Sequence, residues 1–304
     1  MNFLLDRLRH LVLGHGLFGF SRRLPTSAGY TGWNPEATVN RISSDELLRA
    51  GGLFVMTIGT TWLTGGWQYA AAIMLILLCH EMGHYLMCRR YRVSATLPLF
   101  IPMPLISIFG TMGAIIRMKA NIENRRVLFD IGIAGPLAGL GPALVALFWG
   151  LSLSTVVALD PNNQTMIPLG DSLLLRLAES WFYPGLQADQ DILLHPLAFA
   201  GWAGLFVTAL NLIPVGQLDG GHVLYGLLGK RSFPVGSLVL IGLGIGAVFY
   251  PAWWLWFALM LVFGFRHPET VDEHIPLDRG RVALGIFALI VFIFCFVPQP
   301  FSVR

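Results

Sequence analysis

The run His80-Glu81-Met82-Gly83-His84 is the segment of this chain best equipped for chemistry. On a helix, positions i and i+4 share one face, so both imidazoles can reach a single cation. Glu81 lies about 100° further round the same helix, where its carboxylate can approach water on that cation rather than fill a ligand position. Two histidines do not complete a site. A catalytic zinc centre needs a third protein ligand and an open position for water. Glu81 cannot be both ligand and base, so the third ligand must come from another part of the chain.

Few acids stand in apolar surroundings. Asp219 occurs in Asn211-Leu212-Ile213-Pro214-Val215-Gly216-Gln217-Leu218-Asp219-Gly220-Gly221-His222, with no cation nearby before Lys230. Pro214, Gly216, Gly220 and Gly221 let the backbone bend around it. An unpaired acid in that setting needs a cation, and zinc would provide one. Asp130 competes, but Arg125 and Arg126 suit it better to an ion pair or a helix start. His222 is a rival third ligand; beside the ligands, or at a helix start, is its better reading. His195 and His267 fall in loops and make poor ligands. Asn211 has two readings: an amide that donates to a substrate carbonyl or developing oxyanion, or one that caps the bend before Pro214. Cys79, Cys88 and Cys295 are odd in number and lie in apolar stretches, so they read as packing residues, although two of them flank the histidine motif.

The elements that must position these residues are membrane spans. The chain has 304 residues, 55% hydrophobic and only 12% charged, against about 25% charged in soluble domains. A formal net charge of +3 gives no case for nucleic acid. The expected fold is an all-α polytopic membrane protein of about seven transmembrane helices, near 47–63, 67–87, 127–151, 196–212, 234–249, 253–265 and 282–297. Gly65 and Gly66 read as a tight turn between the first two. Arg89 and Arg90 mark an interface, which sets the histidine motif roughly 7–14 Å inside it.

Arg89, Arg90, Arg92, Arg117, Lys119, Arg125, Arg126, Lys230, Arg231, Arg266, Arg279 and Arg281 fall on one side if the spans alternate, and the basic N-terminus joins them. That side is expected to be cytoplasmic. The loop 152–195 instead holds Asp160, Asp171, Glu179, Asp189 and Asp191 against Arg176 alone, and is expected outside, as is the C-terminus. Segment 93–118 is apolar but broken by Pro98, Pro102 and Pro104, so a pair of short strands or a re-entrant hairpin is expected at the cytoplasmic face. The expected divisions are a cytoplasmic segment 1–46, a core 47–265, a loop 266–281 and a last helix with its tail at 282–304. Within the first segment, 11–20 reads as interfacial rather than as a signal peptide.

His80–His84 on one span, followed far downstream by Asn211-x-x-Pro214-x-x-x-Leu218-Asp219-Gly220, resembles the site-2 protease family of intramembrane metalloproteases. The run from Phe129 through Gly132, Gly135 and Pro136 to Gly139 looks like that family's glycine-rich span, and the likeness covers about 67–267. The resemblance implies a three-span catalytic core beside a membrane-associated β segment. It implies one Zn2+ held by His80, His84 and Asp219, with Glu81 as general base and Asn211 positioning substrate or its transition state. Substrates of such proteins are single-span membrane proteins, such as anti-sigma factors and tethered transcription factors. Gly110 and Gly113 are expected in a strand that pairs with unwound substrate. The external loop is too short for the PDZ domain of many bacterial members, so the compact branch, with plastid and cyanobacterial relatives, is implied. The membrane is expected to be a bacterial inner membrane or an organellar one. The rival readings are a metal-ion transporter, which would need polar residues through the full depth, and a non-catalytic scaffold.

Overall fold

The computed structural model describes residues 42–118, 122–158, 169–187, 189–263, 267 and 270–301. Residues 1–41, which carry the expected interfacial segment, lie outside that range, as do Lys119, Asp160 and Arg266.

The described chain is mostly helical. Helix α1 (Ser44–Arg90) starts at Ser43, whose hydroxyl accepts from the Glu46 amide at 3.1 Å, and carries Arg89 and Arg90 in its last turn. Its helical path breaks at Gly66, at φ 79° and ψ 179°, where a side chain would be strained. Both halves then flank one β-hairpin. The Leu97 amide donates to Glu46 at 2.9 Å, while Val93 donates back to Cys88 at 2.8 Å. The two ends of α1 therefore lie close together, as expected of two spans turning at Gly65–Gly66.

The hairpin joins β1 (Leu99–Pro102) to β2 (Thr111–Ile115), antiparallel, with Phe100 opposite Ala114 and an irregularity before Pro102. Its base packs through Ala95, Ile116 and Met118 on Cys88. Its tip reaches Tyr69, whose hydroxyl donates to the Phe109 carbonyl at 3.0 Å. Cys88 and Tyr69 are separated by about 28 Å of helix, so the segment runs along most of a span. The expected paired strands are present, but they are not confined to one face.

Helix α2 (Arg125–Ser152) is capped by Asn124, which accepts from the Arg126 and Val127 amides. It leads into the β3 (Thr155–Ala158) and β4 (Gln190–Leu193) hairpin, which brackets α3 (Leu173–Phe182). Then come α4 (Pro196–Asn211), α5 (Asp219–Leu228), a 3-10 turn at Gly229–Arg231, α6 (Ser232–Phe249), α7 (Trp253–Phe263) and α8 (Arg279–Cys295). Three helical stretches are long and apolar enough to cross a membrane, Ser44–Arg90, Arg125–Ser152 and Asp219–Phe249. The β3–β4 hairpin, α3 and α5 are elements beyond the sequence expectation.

The core joins Tyr69, Ile73, Ile76 and Leu77 of α1 with Ile133 and Leu147 of α2 and Trp202 and Leu205 of α4. Small residues let these helices touch: a Cβ on Gly201 would sit 2.3 Å from the Leu147 nitrogen. Leu238, Ile241, Ile245, Ile286, Leu289 and Ile293 remain exposed on α6 and α8, as befits helices whose solvent is hydrocarbon.

Candidate metal centre

The second half of α1 brings His80 and His84 onto the face that meets α2, with Glu81 between them. All three are buried, at 4%, 6% and 6% exposure for His80, Glu81 and His84. The third partner arrives by way of the 212–218 turn. There Gly220 lies so near the end of α4 that a Cβ would stand 2.0 Å from the Leu212 carbonyl oxygen. The close approach lets α5 begin at Asp219 and points its carboxylate at the histidines.

The donor atoms form a near-equilateral triangle. His80 Nε2 and His84 Nε2 each lie 3.2 Å from Asp219 Oδ2, and the two nitrogens are 3.2 Å apart. Ligands held about 2.0–2.1 Å from a tetrahedral zinc ion stand roughly 3.3 Å from one another, so these residues fit that ion without rearrangement. Among the described residues they are the one group of three or more His, Cys, Asp or Glu side chains placed to hold a metal.

The surroundings fix the ring that matters. His84 Nδ1 lies 2.7 Å from the Ile131 carbonyl, which requires the proton on Nδ1 and leaves the Nε2 lone pair facing the triangle. Room for that ring comes from Gly135, where a Cβ would lie 2.0 Å from His84 Nε2. Asn211, the last residue of α4, sets its Nδ2 3.2 Å from His80 Nε2. Its amide therefore stands at the site rather than at the bend before Pro214.

His222 is outside the triangle. Its Nδ1 lies 2.7 Å from Nε2 of His267, a residue from the loop after α7. That partnership was invisible in sequence, because nothing local links positions 222 and 267. Asp130 is ion-paired as expected, but with another partner. Arg281 of α8 donates from Nε to Oδ1 at 2.8 Å and from Nη2 to Oδ2 at 2.6 Å, and the Tyr91 hydroxyl donates to the same carboxylate. Arg125 instead donates to the Gly226 and Leu227 carbonyls, and Arg126 to that of Pro276. Cys79, Cys88 and Cys295 are all free thiols outside the metal group. Gly110, at φ 70°, packs at the hairpin tip against Thr60 and Thr64. Gly113, at φ 93°, has open space where a Cβ would stand.

A protein of Oryza sativa subsp. japonica, "Probable zinc metalloprotease EGY1, chloroplastic", is 37% identical over 184 residues, covering 58% of this chain and 31% of its own. The Arabidopsis thaliana protein of the same name is 33% identical over 243 residues, 75% of this chain and 42% of its own. "Probable zinc metalloprotease EGY2, chloroplastic" of Arabidopsis thaliana is 30% identical over 250 residues, 79% of this chain and 43% of its own. The chain thus spans less than half the length of each of these relatives. The pattern of peptidase family M50 matches residues 68–249, which include the histidine motif, the glycine face of α2 and the turn into Asp219. This chain belongs to peptidase family M50, in keeping with its resemblance to the site-2 proteases.

Proposed function

We propose that this protein is an intramembrane zinc metalloendopeptidase that hydrolyses peptide bonds within or near transmembrane segments of other membrane proteins. The observation that carries the reading is the 3.2 Å triangle of His80 Nε2, His84 Nε2 and Asp219 Oδ2, assembled from residues 139 positions apart.

In this reading His80, His84 and Asp219 hold Zn2+, which supplies a Lewis acid that polarises the scissile carbonyl and acidifies water. Glu81 is the general base. Its carboxylate, buried beside the two histidines, would take a proton from the attacking water and pass it to the leaving amine. Asn211 stands beside His80 with an N–H available to the substrate carbonyl or its oxyanion. A helical substrate must unwind before its carbonyl is accessible. β1 packs on α1, with Phe100 and Phe54 ring centroids 5.0 Å apart, and β2 exposes Met112. We assign to β2, with Gly110 at its tip and Gly113 on its open edge, the pairing with the released substrate strand.

The same reading takes about seven spans from α1 to α8, with the basic loops and the metal centre toward the cytoplasmic side. Its substrates are single-span membrane proteins, and its membrane is a bacterial inner membrane or an organellar one, the latter as the names of the chloroplastic relatives suggest. The 152–195 segment is the external loop and 266–281 a cytoplasmic one.

Cleavage of a single-span substrate in liposomes tests the reading, with zinc content measured alongside. Glu81→Gln should lose at least about 100-fold in rate and keep its zinc. A Glu81→Gln protein that cuts at the normal rate would refute the proposal. In the same assay Gly113→Val should slow cleavage with zinc unchanged; full activity would remove β2 from substrate binding.

A further inference from the structure

Helix α3 and the β3–β4 hairpin lie about 30 Å of helix from the metal centre, at the far end of α2. Tyr183, at the end of α3, donates to the Leu151 carbonyl at 2.6 Å and the Ser154 carbonyl at 2.9 Å. The position of α3 on the bundle is therefore fixed.

At about 100° per residue, nine of the ten residues of α3 sort into three sectors, and Leu174 is partly buried against the core. Leu175 and Ala178 are buried, and Phe182 sits on their side with its ring 6.1 Å from that of Phe148 in α2. Arg176, Glu179 and Ser180 make a polar sector. The third sector is Leu173, Leu177 and Trp181, spaced i, i+4 and i+8, at 48%, 56% and 81% exposure. These three are the most exposed apolar side chains of α3. A helix whose core-facing side is satisfied by Leu175, Ala178 and Phe182 has no internal use for them.

A second observation sets the level of this face. Trp62 and Trp67 flank the break in α1, Trp149 is in the last turns of α2, and Trp254 is in the first turn of α7; all four are exposed. Exposed tryptophans gathered at one end of a helical bundle mark the boundary between hydrocarbon and headgroups. Trp181 stands at that same end. Val145, Phe148 and Trp149 toward the end of α2, and Leu153 and Val156 after it, are exposed apolar residues as well.

We propose that α3 is an interfacial helix whose Leu173, Leu177 and Trp181 face rests in the headgroup layer of the bilayer, level with the tryptophan belt. The partner of this surface is lipid. Arg176 and Ser180 then face water, and α3 is pressed against the membrane rather than standing free of it. The inference rests on the reading that α2 crosses the membrane.

Single cysteines at 177, 176 and 145, placed in a background lacking the three native thiols and shown to retain zinc, would be spin-labelled in lipid nanodiscs. Collision rates with oxygen and with a water-soluble nickel chelate report depth. The label at Leu177→Cys should show a several-fold higher oxygen-to-nickel ratio than that at Arg176→Cys, and a shallower depth than that at Val145→Cys. A ratio at 177 equal to that at 176, with 145 still deep, would overturn the interfacial helix alone. A water-exposed label at 145 would overturn the span and the interfacial helix together. Shielding of 177 from both reagents, with a short label-to-label distance between two chains, would assign the face to a second copy and refute lipid as its partner.

Discussion

Gly135 holds the metal centre open as directly as the ligands close it. A methyl group there would overlap His84 Nε2 at 2.0 Å, and the ring is already fixed behind by the Ile131 carbonyl. Gly135→Ala should therefore move His84 off the triangle and weaken zinc binding by about 10–100-fold, with the helical circular dichroism preserved. A zinc titration giving unchanged affinity would show that His84 is less constrained than its surroundings imply. The histidine motif was legible in sequence because spacing on one helix places His80, Glu81 and His84 without any tertiary information. The role of the glycines on α2 was not, since it depends on which residue of a neighbouring helix each one faces.

Among the elements, α8 is tied to the catalytic helices by one bidentate ion pair. Arg281 and Asp130 are 26% and 14% exposed at their side chains, and Asp278 and Tyr91 share the network. Removing one partner leaves a charge largely shielded from water, at a cost of about 3–5 kcal/mol. Arg281→Ala should lower the unfolding temperature in detergent clearly, and Asp130→Asn comparably; a shift near zero for both would make the pair incidental. Sequence placed Asp130 in an ion pair but chose Arg125 and Arg126, because the true partner lies 151 positions away.

The region 152–195 read only as an acidic loop, although Ser172 caps α3 by accepting from Leu175 at 3.1 Å. A ten-residue helix in a polar context is too short for a periodicity argument to carry. Its Glu179 is pushed up to about 7 by burial, with Asp171 and Asp191 adding and Arg176 opposing. The fold thus favours the protonated acid. The stability that this contributes is full below about pH 4.5, declines as pH rises through the folded value near 7, and is gone above it. Hydrogen exchange across α3, corrected for intrinsic rate, should show protection falling over that window, and Glu179→Gln should remove the dependence. Flat protection in the unsubstituted protein would contradict the shift.

For the molecule as a whole, a proteolytic centre and an ion pathway make different demands on the same composition. The buried chemistry is gathered around one end of α1, α2 and α5, and the core beyond it is Tyr69, Phe199, Trp202 and Phe206 in aromatic contact. Aromatic packing of this kind among the described residues suits a proteolytic centre better than the ion pathway that the sequence reading set aside. The histidine-bearing helix followed from hydropathy, and three helical stretches are long and apolar enough to cross a membrane where about seven spans were expected; the reach of the hairpin in 93–118 was not legible, because three prolines obscure a strand pattern and nothing local tells how far it extends.

The account turns on which side chain completes the metal centre, and zinc content decides it. Four variants, His80→Ala, His84→Ala, Asp219→Ala and His222→Ala, would be purified in parallel with the unsubstituted protein and their bound zinc quantified. The triangle predicts about one zinc per chain in the unsubstituted protein and in His222→Ala, with loss in the other three. Zinc retained by Asp219→Ala but lost from His222→Ala would contradict it.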